Sequence, residues 1–196
     1  MSTRDAILDA AAQVMRERGL ARATTKEIAR AAGYSEALLY KHFADKQEIY
    51  LAVLQERAGG GMDARELIGV GSVRQNLIDL VLRLMAFYVQ SFPMSASIFS
   101  DRELLANWRS SLTEKGGSPR WPIRSLQGYL EGEVVGGRID PGIDVAAVAV
   151  LLCGAAFQAA FLACFEGLEE VPKSRSLAVG LVDAALGSSA KVSSSP

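Results

Sequence analysis

Between Thr24 and Lys46 the chain gathers hydroxyl, phenol, imidazole and ammonium groups, each able to donate a hydrogen bond to a phosphate oxygen. Thr24 and Thr25 stand where a helix is predicted to begin, so free N–H groups and the helix dipole favour an anion there; for Thr24, simple capping fits as well. Tyr40, His42 and Lys46 fall at the end of one short predicted helix and the start of the next. Lys46, in a first helical turn, opposes the dipole, which an anion outside the protein would compensate. The chain has one histidine, His42, and neither a nucleophile elbow, a phosphate loop nor a metal-ligand cluster. The expectation is therefore binding rather than catalysis, with no catalytic residue, metal or cofactor. Gly59, Gly60 and Gly61 read as a helix breaker, not a phosphate loop.

The elements that must carry these groups are helices. Ile7, Leu8, Ala11, Val14 and Met15 repeat at helical spacing behind a Ser2/Asp5 capping box, and Gly19 suits a stop. Thr24 with Glu27 opens a short helix bearing Ile28, Ala29 and Ala32, ended by Gly33. Ser35 caps a third with Leu38, Leu39 and Phe43, and Asp45 with Glu48 caps a fourth with Ile49, Tyr50, Val53 and Leu54. Further helices are predicted over 73–92, 94–112, 121–135, 144–165 and 174–186, and no strand-like alternation interrupts them. Two short helices joined by a glycine turn behind a longer one are the parts of a helix-turn-helix, with Gly33 as its pivot.

With 196 residues, 49% of them hydrophobic, the chain can build a real core. Its net charge is -1, and residues 1–57 hold nine Lys/Arg against eight Asp/Glu, so any nucleic-acid contact is local. Cys153 and Cys164, eleven residues apart on one predicted helix, are separated by roughly 16 Å and cannot bond within the chain. They read as buried small hydrophobes, with a redox role as the alternative. Charges interrupt the apolar pattern of the first residues, so no signal peptide is read and a cytoplasmic setting is expected.

The stretch TTKEIARAAGYSEALLYKHFADKQEIY resembles the amino-terminal domain of the TetR family of transcriptional regulators, and the likeness runs from Ile7 to Leu54. Thr24, Thr25, Ile28-Ala29, Ala32-Gly33, Ser35, Leu39-Tyr40, His42-Phe43 and Lys46 carry it. The resemblance implies an all-α protein: a three-helix helix-turn-helix DNA-binding domain over 1–46, a helical-bundle ligand-binding and dimerisation domain over 47–187, and a disordered tail over 188–196. In that frame Thr24, Thr25, Tyr40, His42 and Lys46 grip phosphates, while Gly33, Ser35, Leu39 and Phe43 support the motif. Base reading is expected from Glu36, Ala37 and Leu38 in the first exposed turn of the third helix, with Lys41 a turn on and Lys26 at the start of the second. Leu38 can meet a thymine methyl group. Glu36 can accept from cytosine, but phosphates repel it, so pairing with a neighbouring lysine is equally open.

The resemblance also implies a symmetric homodimer on a palindromic double-stranded DNA operator and a body cavity for a small apolar or aromatic effector. Candidate lining residues are Met85, Tyr88, Phe92, Phe99, Asn107, Trp108, Trp121, Tyr129, Phe157, Gln158 and Phe161; for most of them ordinary core packing is the competing reading. Residues 145–165 are long and apolar enough for a membrane span, but their alanines and glycines and the lack of a flanking basic cluster favour a buried or interface helix. With 174–186 this helix would form an intersubunit four-helix bundle. The expected function is a repressor released from its operator when an effector shifts helix four, Lys46 to Arg57. A transcriptional activator, an effector-independent DNA-binding protein and, more distantly, a membrane-associated helical protein are the alternatives.

Overall fold

The computed structural model describes residues 2–57, 63–100, 102–114 and 116–187. The glycine run at 59–61 and the tail over 188–196 lie outside the described residues. Among the described residues the chain forms α1 (Thr3–Arg22), α2 (Thr25–Ala31), α3 (Glu36–Leu39), α4 (Lys46–Glu56), α5 (Val73–Ala96), α6 (Arg102–Glu114), α7 (Trp121–Val135), α8 (Val145–Phe165) and α9 (Ser174–Gly187). Two 3-10 turns, Ala64–Leu67 and Ser97–Ser100, complete the order. No strand occurs among these residues, so the fold is all-α.

Packing divides the chain into two units, one of residues 1–61 with 90–118 and one of 62–89 with 119–196. In the first unit the apolar stripe of α1, with Ile7, Leu8, Ala11 and Met15 fully buried, packs on Ile28 and Ala29 of α2, Leu39 of α3 and Ile49 and Val53 of α4. Each large side chain so enclosed contributes about 1.5–3 kcal/mol. Met94, Ile98 and Trp108 join this core, and the Trp108 ring meets Tyr50 edge-on at 5.0 Å. Thus α1 to α3 share their packing unit with α4 and the 90–118 segment. Burial pushes the Tyr50 phenol up to about 12.

Gly19 does interrupt α1, with φ 74 and ψ 156, but the chain resumes for one more turn through Arg22. The amide of Ala21 just beyond the break donates to Ser97 Oγ at 3.1 Å. A Cβ at Gly19 would lie 2.7 Å from that same oxygen, so glycine is required both by backbone and by space.

In the second unit α7 packs on α8 and on the 3-10 turn at Ala64–Leu67, and α9 packs on α8. Tyr129, Leu130, Leu152 and Val182 are fully buried there with Leu77, Ile78, Val81 and Met85 of α5. Asp144 caps α8 by accepting from Ala147 N at 3.0 Å. One face of α8 is a stripe of small residues, Ala149, Cys153, Ala156, Ala160 and Ala163, which lets its neighbours approach closely. Val150, Leu151, Leu162 and Phe165 remain exposed on its outer side. By length and composition alone, α8 and the segment 73–100 could each cross a membrane.

The sequence suggests a joint at Pro93, yet α5 runs through it to Ala96. A proline there removes the N–H that would have bonded the carbonyl four residues earlier, Val89 O. The Cys164 thiol donates to Val89 O at 3.6 Å and replaces the missing donor. Cys164 thus has a bonding role that its reading as a small hydrophobe did not include, whereas Cys153 is simply buried, its thiol pushed up to about 12.

Candidate nucleic-acid interface

The pair α2 and α3 is built by local rules. Thr24 caps α2: its oxygen accepts from Glu27 N at 3.2 Å, and its hydroxyl donates to Glu27 Oε2 at 3.0 Å. These hydrogen bonds, with Arg18 at 2.6 Å, hold the Glu27 carboxyl below the usual range. Past the end of α2, Tyr34 N bonds Ala29 O at 2.9 Å and Gly33 N bonds Arg30 O at 3.1 Å, a Schellman closure that needs the left-handed φ of 79 found at Gly33. Ser35 then caps α3 by accepting from Leu38 N at 3.2 Å. Leu39 and Phe43 are buried under the motif, and the Arg4 guanidinium covers the Phe43 ring at 5.3 Å.

On the outer side, Lys26, Ala37, Lys41 and His42 are exposed, Leu38 is half-buried, and Tyr40 is 50% exposed. These groups form a surface able to donate to phosphates and touch base edges. Glu36 occupies the position least expected of it: its Oε1 accepts from Thr25 Oγ1 at 2.5 Å, and the Tyr40 hydroxyl lies 3.2 Å from that threonine oxygen. Spacings of eleven and fifteen residues across a turn give no sequence signal for such a contact.

Lys46 also differs from the sequence expectation. Its ammonium donates to Leu20 O at 2.9 Å and Ala23 O at 3.0 Å, the last carbonyls of α1. The negative end of α1 supplies the charge that had been expected from an anion outside the protein. Burial lowers the lysine pKa. At the other end of α4, Arg57 binds Asp5 and Asp9 at 2.8 and 2.6 Å, and Arg4 pairs with Glu56 at 2.6 Å. Bonds from Ser2 first, then Arg57, bring the Asp5 carboxyl down to about 2. The sequence reading missed this clasp, because its partners lie some fifty residues apart.

The eleven residues expected around an effector are distributed over both units. Phe92, Phe99, Asn107 and Trp108 belong to the first unit, where Phe99 is 72% exposed and Trp108 is core. In the second unit Met85 and Tyr129 are buried, and Asn76 donates to the Tyr129 hydroxyl at 3.1 Å. Tyr88 meets Phe157 edge-on at 5.3 Å, and burial raises its pKa. Gln158 is exposed, Trp121 is 36% exposed and Phe161 40%. A cleft of about 510 Å³ in this unit is lined by Ser72, Val73, Arg74, Arg138, Ile139, Asp140, Ile143 and Leu186, none of them an expected effector contact.

A one-turn helix presented beside α2 across a left-handed glycine turn, with exposed donors along its outer side, defines a helix-turn-helix DNA-binding protein. Residues 7–53 match the family described as bacterial regulatory proteins, tetR family. The uncharacterized HTH-type transcriptional regulator YvkB of Bacillus subtilis is 28% identical over 136 residues, covering 58% of this chain and 69% of that protein. The HTH-type transcriptional activator FasR of Mycolicibacterium smegmatis is 50% identical over 52 residues, 26% of this chain and 24% of its own. The HTH-type transcriptional repressor BepR of Brucella suis biovar 1 is 46% identical over 52 residues, 26% of this chain and 25% of its own. The chain therefore spans about a quarter of each of the last two. The crystal structure of FadR from Bacillus subtilis in complex with stearoyl-CoA has the same fold, with a TM-score of 0.65 at 18% identity, over 93% of this chain and 97% of that one. Residues 7–53 thus resemble the helix-turn-helix domain of the tetR family, and the relatives named above are HTH-type transcriptional regulators.

Proposed function

We propose that the protein is a cytoplasmic homodimeric repressor that binds a palindromic operator and is released by a small apolar effector. The observation that carries this reading is the α2–α3 surface, where Tyr40, Lys41, His42 and Lys26 are exposed around a one-turn helix that is itself fixed by Leu39 and Phe43. Tyr40, His42 and the threonines Thr24 and Thr25 contact phosphates, and Ala37, Leu38, Lys41 and Lys26 face base edges. Lys46 acts at one remove, by fastening α4 beneath this surface. In this reading the chain comprises a DNA-binding domain over 1–46 and a ligand-binding and dimerisation domain over 47–187.

The proposal of two-fold symmetry rests on α8 and α9. The exposed Val150, Leu151, Leu162 and Phe165, with Leu177 of α9, form an apolar face of the kind an obligate partner covers. The same face on a second copy would complete a four-helix bundle. The apolar character of the effector is supported by the acyl chain of the stearoyl-CoA bound to the Bacillus subtilis FadR and by the aromatic pair Tyr88 and Phe157. Repression is chosen over activation on the simplest mechanism, release of DNA when the spacing of two reading heads departs from about 34 Å.

Selecting bound duplexes from a random pool tests the proposal. An inverted repeat with half-sites one helical turn apart is expected; enrichment of no sequence, or of an asymmetric one, overturns it. An effector that binds tightly without changing operator affinity removes the induction step.

A further inference from the structure

The hydrogen bonds among Thr25, Glu36 and Tyr40 have a direction. A threonine hydroxyl carries one proton, and an ionised carboxylate only accepts, so the 2.5 Å contact delivers the Thr25 proton to Glu36 Oε1. The Tyr40 hydroxyl, 3.2 Å from the same threonine oxygen, must then be the donor of the second contact. The relay runs inward from Tyr40 through Thr25 to Glu36. Both hydroxyls, although Tyr40 is half exposed, have their protons turned away from solvent.

We propose that Glu36 is an internal stand-in for a backbone phosphate, holding the Thr25 and Tyr40 protons in the free protein and so setting how tightly the α2–α3 surface grips any DNA. The inference rests on the DNA-binding reading above. A phosphate oxygen reaching Tyr40 must draw its proton out of the relay against a carboxylate of like charge. Without the carboxylate, the Thr25 proton turns to the Tyr40 oxygen and the phenol points its own proton outward. The relay then runs from Thr25 through Tyr40 to the phosphate. Glu36 thereby disfavours every duplex alike, so that weak non-specific contact does not hold the protein, and it reads no base.

The experiment measures Tyr40→Phe in three backgrounds, the unaltered chain, Glu36→Ala and Thr25→Val, by binding to a 20-base-pair duplex of arbitrary sequence at fixed salt. Loss of the phenol hydroxyl should weaken binding less than twofold in the unaltered chain and about tenfold in each of the other two, the worth of one hydrogen bond to a charged acceptor. Thr25→Val keeps the Glu36 charge, so it separates the relay from simple repulsion: coupling in Glu36→Ala alone, or the same loss in all three backgrounds, overturns the proposal. Thermal melting of each variant excludes unfolding as the cause. In the free protein, Thr25→Val should also shift the Glu36 carboxyl carbon resonance, and an unmoved resonance overturns the relay without reference to DNA. A chain that binds no duplex overturns the DNA-binding reading as well, whereas additivity in a chain that binds DNA overturns this inference alone.

Discussion

The α2–α3 surface and the outer face of α8 are both exposed, and they meet solvent in opposite ways. On α2 and α3 the protein places polar groups that bond to one another, Thr24 with Glu27 and Thr25 with Glu36 and Tyr40. On α8 it places Val150, Leu151, Leu162 and Phe165, which make no such bonds and are 53, 65, 47 and 81% exposed. A surface of the first kind stands stably alone in water and exchanges its partners when a polyanion arrives. One of the second kind gains free energy only when another apolar surface covers it. On the proposed reading the difference assigns nucleic acid to the first surface and a second copy of the chain to the other.

Placing a charge on the apolar face should have the largest effect. Leu151→Glu is expected to raise the dimer dissociation constant about 100-fold or more, by leaving an unpaired carboxylate in an interface. Light scattering should then report the chain mass of 20.9 kDa instead of twice that value. An unchanged dimer would mean that α8 is covered in some other way. Lys46→Met comes next. It leaves Leu20 O and Ala23 O without their donor, and denaturant unfolding should register a loss of about 2–3 kcal/mol. A smaller effect, about 1 kcal/mol, is expected for Cys164→Ala, because Val89 O loses the thiol. Adding Pro93→Ala restores the backbone donor and should recover most of that loss, giving a non-additive cycle.

The mildest test is acid. Asp5 and Asp63 are lowered to about 2 in the folded chain from 3.8, Asp5 mainly by Ser2 and Arg57, Asp63 mainly by Arg65. Depressed carboxyls contribute stability that is fully present above the unfolded value and is lost as pH falls through the folded one. Melting temperature should therefore decline between about pH 4 and pH 2, and less steeply in Asp5→Asn. A curve unchanged by that substitution would remove Asp5 from the account.

Much of this architecture was legible in the sequence because its rules are local. The expected capping residues Ser2, Thr24, Ser35 and Asp45 all cap helices, and α7, α8 and α9 begin and end within a residue or two of where periodicity puts them. Breaks read from single residues fared less evenly. Gly19 kinks α1 without ending it, because Ser97 receives the amide beyond the kink; Pro93 does not end α5, because a thiol from α8 supplies the lost donor. Both repairs come from distant residues, 97 for 19 and 164 for 89, which no local pattern contains. The same applies to the binding surface. The positions of Lys26, Lys41 and His42 on the outside follow from helix periodicity, whereas the engagement of Glu36 with Thr25, and of Lys46 with α1, depends on how two helices meet. Lining residues for an effector were the least legible, because an aromatic side chain in a core and one in a cavity obey the same spacing.

The fastening of α4 has a kinematic consequence. Lys46 ties its first turn to the last carbonyls of α1, while Glu56 and Arg57 tie its last turn to Arg4, Asp5 and Asp9 near the start of α1. Two antiparallel segments tied at both ends turn together, the Lys46 tie reaching the last turn of α1 beyond the Gly19 break. A displacement applied anywhere along α4 therefore turns α1 with it, and α2 and α3, packed on α1, follow as cargo. In the engineering sense α4 is not a lever that swings against the reading head but part of its chassis.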